Sequence, residues 1–347
     1  MTEFTNFRHN PLLDPTMRIW SWEIPFYLFL GGLVAGLMII AGVRLVAMRP
    51  RERQALVCCT IGPLIGLVFL SLGMLALFLD LGHKLFVWRL YLTFQATSPM
   101  SWGSWILLLV YPALVANALA HLPEAIPALA KRFPVFVRWS DFILARTRLV
   151  VGIGFANVAL GIALGIYTGI LLGTLGARPL WSSAVLGPLF LFSGLSTAAA
   201  LLHGILVLTT PDDERPDFAD FLLSTLARLT QAKPLDTTVA PVLARADNSF
   251  LTIELALLGL LLLGHLAGSG AQQDAAQLLL TGPYAATFWV FVVGLGIVIP
   301  LLLQSLELRH KVRPTLAPAL LILGGGFALR IILVAAGQAS HWVATAQ

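Results

Sequence analysis

Ionisable side chains interrupt the apolar pattern of this 347-residue chain near one end of its longest hydrophobic segments. Glu23 lies in an aromatic stretch at the start of one segment, and Asp80 and His83 follow another. Arg330 lies within the sequence Phe-Ala-Leu-Arg-Ile-Ile-Leu. Ionisable groups are costly inside lipid and usually mark functional sites. A carboxylate or imidazole can accept a proton, and a guanidinium can stabilise negative charge. We therefore predict proton-transfer chemistry, with the catalytic candidates Glu23, Asp80, His83 and Arg330.

A second group of residues near the same end has the properties needed to hold a flat ligand. Glycines recur at intervals of four from Gly161 to Gly173, which leaves one ridge of a helix almost bare. Such a ridge accepts either a neighbouring helix, which is the more common use, or a flat ligand. The tryptophans near this end can also form an aromatic belt at the membrane surface. The binding candidates from these segments are Trp102, Ser104, Gly165, Tyr167, Gly169 and Arg178.

Eight apolar stretches position these residues. The protein is 58% hydrophobic and 11% charged, with a mean hydropathy of +0.87, which excludes an ordinary soluble enzyme. A bilayer core needs about 20 apolar residues in a helix, and a helix pairs every backbone N–H and C=O within itself. The predicted spans are Ile24–Val46, Ala55–Leu79, Trp102–Leu122, Leu149–Thr174, Ser182–Leu208, Phe250–Ala267, Phe288–Ser305 and Thr315–Gly337.

The connections predict an all-α integral membrane protein with eight transmembrane helices in two four-helix bundles. The first bundle covers residues 24–174 and contains the candidate site, and the second covers 175–337. The long connection 209–249 carries apolar residues at helical spacing from Phe218 to Leu229, which predicts an amphipathic helix on the membrane surface. Residues 1–23 and 338–347 are predicted to be tails on one side of the membrane.

Basic residues are divided unevenly between the two sides. The side with both termini holds Arg8, Arg18, Lys84, Arg89 and Arg178, and most other basic residues fall on the opposite side. The positive-inside rule therefore predicts periplasmic N- and C-termini in a bacterial inner membrane. The net charge of +5 is then explained by cytoplasmic loops, so no nucleic-acid partner is predicted.

Polar residues at the other, cytoplasmic end leave more than one interpretation open. Glu254, His203, Gln304 and Glu307 lie near the inner ends of their spans, either as a proton path toward Arg330 or as wetted helix ends. A haem b-type anchor is an alternative, although the histidine count argues against it, because His121 and His203 could provide at most one axial pair. A transporter is another. The adjacent Cys58 and Cys59 cannot form a four-thiolate site, so no metal is predicted in this protein.

Several stretches together resemble one family of membrane subunits, the NrfD/PsrC family of polysulfide reductase and related molybdoenzyme complexes. The resemblance rests on Trp22-Glu-Ile-Pro-Phe-Tyr27, Leu79-Asp-Leu-Gly-His83, Ser98-Pro-Met-Ser-Trp-Gly-Ser-Trp105, Tyr167-Thr-Gly-Ile-Leu-Leu-Gly173 with Arg178-Pro-Leu-Trp181, and Leu329-Arg-Ile-Ile-Leu-Val-Ala-Ala-Gly-Gln338. These matches extend from the first span to the last. The tryptophan-rich stretch before the third span is the most specific of them.

The resemblance implies a quinone site, for menaquinone or ubiquinone, near the periplasmic face of the first bundle, with no haem and no metal. It implies a ferredoxin-like iron–sulfur subunit docked on the periplasmic side, which serves a molybdopterin catalytic subunit. Family residues early in the first span fall at Glu23 and at Phe26 or Tyr27, and the family's fourth-span tyrosine falls at Tyr167. Tyr27 therefore joins the predicted quinone-binding residues. The terminal substrate would be converted in another subunit.

Overall fold

The computed structural model describes residues 20–47, 57–176, 178–209, 239–309, 311 and 314–342, and these residues form helices and no β-strand. Eight of the helices are long and apolar enough to cross a membrane. The predicted all-α class with eight spans is therefore confirmed. The spanning helices are α1 (Glu23–Ala47), α2 (Gly62–Asp80), α3 (Pro99–Ala125), α4 (Thr147–Gly173), α5 (Leu186–Thr209), α6 (Ala240–Leu266), α7 (Ala285–Leu308) and α8 (Ala317–Ala339).

Shorter helices lie between the spans. The predicted second span is divided at Ile61 into the helix Val57–Thr60 and α2, because Pro63 favours the first turn of a new helix. Within α7, residues Phe288–Val298 form a π-helix. The remaining short helices are Lys84–Phe86, Arg89–Leu92, Pro127–Arg132, Pro134–Leu144, Pro179–Trp181 and Gly270–Leu280.

Helix α6 begins ten residues before the predicted start, at Ala240 instead of Phe250. Its first turns contain Arg245 and Asp247, which lower the local hydropathy. Asp247 is nevertheless fully buried. Its carboxylate accepts a hydrogen bond from the side-chain amide of Gln304 of α7 at 2.6 Å. A polar residue whose partner lies on another helix escapes a prediction that is based on hydropathy alone.

Helix α1 is the most central of the described spans and packs against α2, α4, α5 and α8. The backbone of α1 approaches that of α5 very closely, because a Cβ on Gly36 would overlap with the Gly194 carbonyl and with Ala198. Helix α4 also packs along both α1 and α5. The two predicted bundles therefore share a broad interface made by α1, α4 and α5, and their separation into two units stays a prediction.

The amphipathic helix predicted around residues 218–229 lies outside the described residues, as do residues 1–19 and 343–347 of the predicted tails. Below, the outer end of the molecule is the end where α1 begins and α8 ends. The inner end is the opposite one.

Candidate functional site

Three tyrosines from different elements meet near the outer ends of α1 to α4. Tyr27 of α1 and Tyr167 of α4 are 2% and 6% exposed. Tyr27 lies close enough to Tyr167 and Tyr91 for charges on their phenols to interact. Tyr91 lies outside the spans, in the helix Arg89–Leu92, and its partial burial raises its pKa. Its phenol is therefore protonated at neutral pH and available as a hydrogen-bond donor.

The phenol of Tyr167 lies directly against the backbone of α3. A Cβ on Gly103 would overlap with Cζ and the hydroxyl oxygen of Tyr167. Position 103 must therefore lack a side chain if the Tyr167 ring is to occupy its present place. Gly103 was absent from the predicted site residues, although it lies in the tryptophan-rich stretch before the third span. A lone glycine between Trp102 and Ser104 was the available signal.

Two carboxylates flank this tyrosine cluster. Glu23 is the first residue of α1 and Asp80 is the last residue of α2, and they lie close enough for their charges to repel. Glu23 Oε2 is buried and accepts no hydrogen bond in the described part of the protein. His83 follows in the exposed connection after α2. The structure thus brings Glu23, Asp80 and Tyr27 to the outer end together, with His83 at the surface beyond them.

Trp105 contributes a second buried polar group that lacks a partner among the described residues. Its indole Nε1 is buried and donates no hydrogen bond, and its ring packs edge-to-face on Phe94 at a centroid distance of 5.9 Å. A buried donor and a buried acceptor without partners are costly unless a ligand or water satisfies them. Trp105, near the start of α3, and Glu23, at the start of α1, are therefore a buried donor and a buried acceptor without partners at the outer end.

Two predicted binding residues of α3 hold the connection between α2 and α3. Ser104 Oγ donates to the Leu90 carbonyl at 2.9 Å, and Trp102 Nε1 donates to the Ala96 carbonyl at 2.8 Å. Trp102 is 42% exposed. Both side chains therefore position the segment 81–98, which includes Tyr91, at the outer end.

The predicted glycine slot is a helix interface in the structure. A Cβ on Gly165 would contact Leu191 of α5 at 2.6 Å, and one on Gly169 would overlap with the Leu186 carbonyl. The bare ridge of α4 is thus covered by α5. This is the more common use of such a ridge, and no flat ligand can occupy it without separating the two helices.

Arg178 holds the C-terminal segment in place. Its Nη1 donates to the Ser340 carbonyl at 2.8 Å and lies 2.9 Å from His341 Nδ1. Nearby, Trp181 stacks on Trp20 with centroids 5.3 Å apart, and its Nε1 donates to the Leu333 carbonyl at 2.9 Å. Arg178 and Trp181 therefore join the connection between α4 and α5 to the outer end of α8.

Arg330 lies apart from the tyrosine cluster, between α8, α5 and α1. Its side chain is fully buried; Nη1 donates to Ser193 Oγ and to the Gly326 carbonyl, and the guanidinium lies 4.9 Å from the Phe190 ring centre. The carboxylate that interacts with it electrostatically is Glu254 of α6, and not Glu23 or Asp80 at the outer end. The reason is topological, since α1 lies between Arg330 and the tyrosine cluster.

Buried polar groups continue from Arg330 toward the inner end. Ser196 Oγ donates to Glu254 Oε2 at 3.4 Å, and Asp247 is bonded to Gln304 as described above. At the inner end, His203 Nε2 lies 3.1 Å from Glu307 Oε1. Ser193 and Asp247 are not among the residues that the sequence predicted for this region. The spacing of seven between Asp247 and Glu254, which places both on one face of a helix, was the available signal.

The fold and these two polar regions define a class, namely a multi-pass membrane protein with a polar cluster at the outer end and a buried arginine and glutamate deeper in the bundle. Comparison with known proteins gives the family. The family model described as "Polysulphide reductase, NrfD" matches residues 9–341. The chain therefore belongs to the NrfD/PsrC family of membrane subunits of respiratory oxidoreductases, as its sequence resemblance predicted.

Individual relatives match over nearly their full length. A subunit of the polysulfide reductase of Wolinella succinogenes is 27% identical over 328 residues, which cover 92% of this protein and 94% of that one. Protein NrfD of Escherichia coli is 29% identical over 326 residues, which cover 92% of this protein and 95% of that one. The NrfD homolog of Haemophilus influenzae is 26% identical over 332 residues, with coverage of 94% and 97%.

Proposed function

We propose that this protein is the quinone-reactive membrane subunit of a multi-subunit oxidoreductase, with its quinone site at the outer end of α1 to α4. The observation that carries the proposal is the tyrosine cluster of Tyr27, Tyr91 and Tyr167, together with the unpartnered Glu23 Oε2 and Trp105 Nε1. A quinone ring presents two oxygens that need donors or acceptors, and the cluster offers both kinds of group. Family membership supports the same ligand class, either menaquinone or ubiquinone.

The bound quinone supplies exchange of two electrons and two protons, and the protein's own residues bind it and carry the protons. Tyr167, fixed by Gly103, donates a hydrogen bond to one ring oxygen. Glu23 accepts or returns a proton, because its Oε2 has no competing partner among the described residues. Asp80 and His83 pass the proton to the outer surface. Trp102 and Ser104 keep the segment 81–98 over the site.

Electrons must leave this subunit, because the proposed chemistry needs a partner that accepts or donates them. We assign that role to a periplasmic, ferredoxin-like iron–sulfur subunit that serves a molybdopterin catalytic subunit. The connection between α2 and α3 offers a docking surface beside the site, since Leu85, Leu92 and Phe94 are 88%, 74% and 61% exposed. One relative is, by its name, part of a polysulfide reductase.

The proposed orientation has both termini in the periplasm and the inner end at the cytoplasm of a bacterial inner membrane. It rests on basic residues near the inner ends, such as Arg132, Arg146 and Arg148 in the described part of the protein. In this orientation, the series of polar groups that leads to Arg330 begins at the cytoplasmic side, with the pair His203–Glu307. We propose that they couple quinone chemistry to proton movement.

The quinone site is tested by direct binding to the purified full-length protein. Quinones quench tryptophan emission, so titration with menaquinone-4 or decylubiquinone in nanodiscs gives an affinity. Tyr167→Phe removes one hydrogen bond and should weaken binding about fivefold, which corresponds to roughly 1 kcal/mol. Tyr284→Phe is the matched control, because Tyr284 donates to the Ala335 carbonyl in the other half of the protein.

The proposal predicts a different quinone affinity for each variant. Binding that is weakened in Tyr167→Phe and unchanged in Tyr284→Phe supports the outer site in the first half. Equal affinity in both variants and the unmodified protein would move the site away from Tyr167. Weakening in Tyr284→Phe alone would place it in the second half.

A further inference from the structure

The helix Pro134–Leu144, here called the surface helix, connects the inner ends of α3 and α4. One side packs against α3, where Ser140 Oγ donates to the Ala120 carbonyl at 2.7 Å. The opposite side carries Val135, Trp139 and Phe142, which are 48%, 54% and 48% exposed. These positions are spaced by four and three and so form one stripe along the helix. A helix of this kind lies in the interface between lipid headgroups and acyl chains.

Two arginines follow the surface helix and border a groove with it. The guanidinium carbon of Arg146 lies 3.7 Å from the Phe142 ring centre, and its Nη1 donates to the Phe142 carbonyl at 3.0 Å. Arg146 is thereby held in one orientation with further N–H groups open to a ligand. The groove has a volume of about 580 Å³ and is lined by Phe142, Arg146, Thr147, Arg148 and Leu149.

The charge around the groove favours an anion. Asp141 is the one acidic residue between positions 126 and 149. The same segment carries five basic residues, which are Lys131, Arg132, Arg138, Arg146 and Arg148. Arginine pairs with phosphate oxygens through charge-assisted hydrogen bonds. A phosphate diester is therefore the chemistry that the groove fits best.

Apolar side chains extend from the groove along α4 toward the middle of the membrane. Val151 and Phe155 are 39% and 69% exposed on α4, one and two turns from the arginines. They supply a wall for an acyl chain below the site for its headgroup. The combination of an anchored guanidinium, excess positive charge and an apolar wall distinguishes a lipid from a free anion.

We propose that this groove binds an anionic phospholipid of the inner leaflet, with Arg146 and Arg148 on its phosphate and α4 along its acyl chain. The surface helix then inserts Trp139 and Phe142 beside the same lipid. The inference is independent of the quinone site, which lies at the other end of α4. Its effect would be to fix the inner ends of α3 and α4 at a defined depth.

The test uses the full-length protein, together with any subunits that co-purify, in detergent micelles. Phosphatidylglycerol or phosphatidylcholine with brominated acyl chains is titrated in, since bromine quenches tryptophan emission on contact. The signal of Trp139 is the difference between the unmodified protein and Trp139→Phe. We expect quenching of Trp139 at lower concentrations of phosphatidylglycerol than of phosphatidylcholine. The double variant Arg146→Gln/Arg148→Gln should need about tenfold more phosphatidylglycerol, the scale of lost charge-assisted bonds.

The double variant Arg245→Gln/Lys311→Gln is the matched control, because both side chains are exposed on the inner side and the loss of charge is equal. Unchanged lipid preference in the control supports the assigned groove. The proposal is overturned if the two lipids quench equally in the unmodified protein, or if the control loses the preference as fully as the arginine variant. Displacement of the lipid by inorganic phosphate at millimolar concentration would assign the groove to a free anion instead.

Discussion

Gly103 matters for the candidate site because the Tyr167 phenol lies against its backbone. We expect Gly103→Ala to push the Tyr167 ring aside and to weaken quinone binding at least as much as Tyr167→Phe. Adding a methyl group to a packed position usually costs about 1–3 kcal/mol. The measurement is the quenching titration with menaquinone-4. Gly264→Ala serves as the control, since a Cβ there meets nothing within 4 Å, and equal affinity in both variants would contradict the role of Gly103.

Glu23 is the residue whose chemistry the proposed function uses most directly. Glu23→Gln keeps the size of the side chain and removes its ability to accept a proton. We expect quinol turnover to fall about a hundredfold, the usual contribution of a general acid–base group, while quinone binding and assembly persist. Turnover by the purified complex should be measured across a range of pH. A variant as active as the unmodified protein at every pH would remove Glu23 from the mechanism.

Single residues show where sequence reasoning succeeds and where it stops. Glu23 and Tyr167 stand out in the sequence because they interrupt apolar segments. The partner of Arg330 could not be identified in the same way, because depth along a helix does not specify which face a side chain occupies. Glu23 and Asp80 have suitable charges, but α1 separates them from Arg330, and the buried Glu254 of α6 takes that place.

The elements of this fold are held by close backbone contacts between small residues. Lipid offers no hydrophobic drive for helix association, so van der Waals packing and interhelical hydrogen bonds must supply it. Gly36 of α1 and Gly194 of α5 allow one of these close approaches in the centre of the molecule. The glycine ridge of α4 serves the same purpose, which is why a pattern that also suits a flat ligand was ambiguous in the sequence.

Replacement of Gly36 tests whether the α1–α5 contact holds the two halves together. A Cβ there would overlap with the Gly194 carbonyl, so the two helices must separate to admit Gly36→Ala. We expect a lower thermal unfolding midpoint in nanodiscs, from an overpacking cost of about 1–3 kcal/mol. Gly259→Ala in α6, where a Cβ meets nothing within 4 Å, should leave the midpoint nearly unchanged. Equal midpoints for the two variants would show that the halves are joined elsewhere.

On the scale of the whole molecule, hydropathy predicted the number of spans, and charge predicted an orientation that the fold does not test. Hydropathy works because lipid forces backbone pairing within each helix. It could not predict how the helices associate, because α1, α4 and α5 meet through small residues that carry little hydropathy signal. It also placed Asp247 outside the membrane, since a buried Asp247–Gln304 pair involves two distant segments.

The buried polar groups between the inner end and Arg330 form a series along the length of the helices. Counted at 1.5 Å per residue along the helices, His203 and Glu307 come first from the inner end. Asp247 and Gln304 follow, and Glu254 with Ser196 lies next before Ser193 and Arg330. Buried carboxylates, hydroxyls and an imidazole in such an order can pass protons if water bridges the gaps between them. The alternative is that each pair only satisfies its own buried charge.

These two interpretations differ in the membrane potential that the complex generates. If protons enter from the inner end, quinone turnover in liposomes should generate a potential that a voltage-sensitive dye records. Glu254→Gln should abolish that potential while quinone affinity at the outer end stays unchanged, because Glu254 and the tyrosine cluster lie on opposite sides of α1. Thr252→Val is the control, since Thr252 is exposed on the same helix and its hydroxyl donates to the Asn248 carbonyl. Electroneutral turnover in the unmodified complex, or a full potential in Glu254→Gln, would leave these groups with a structural role alone.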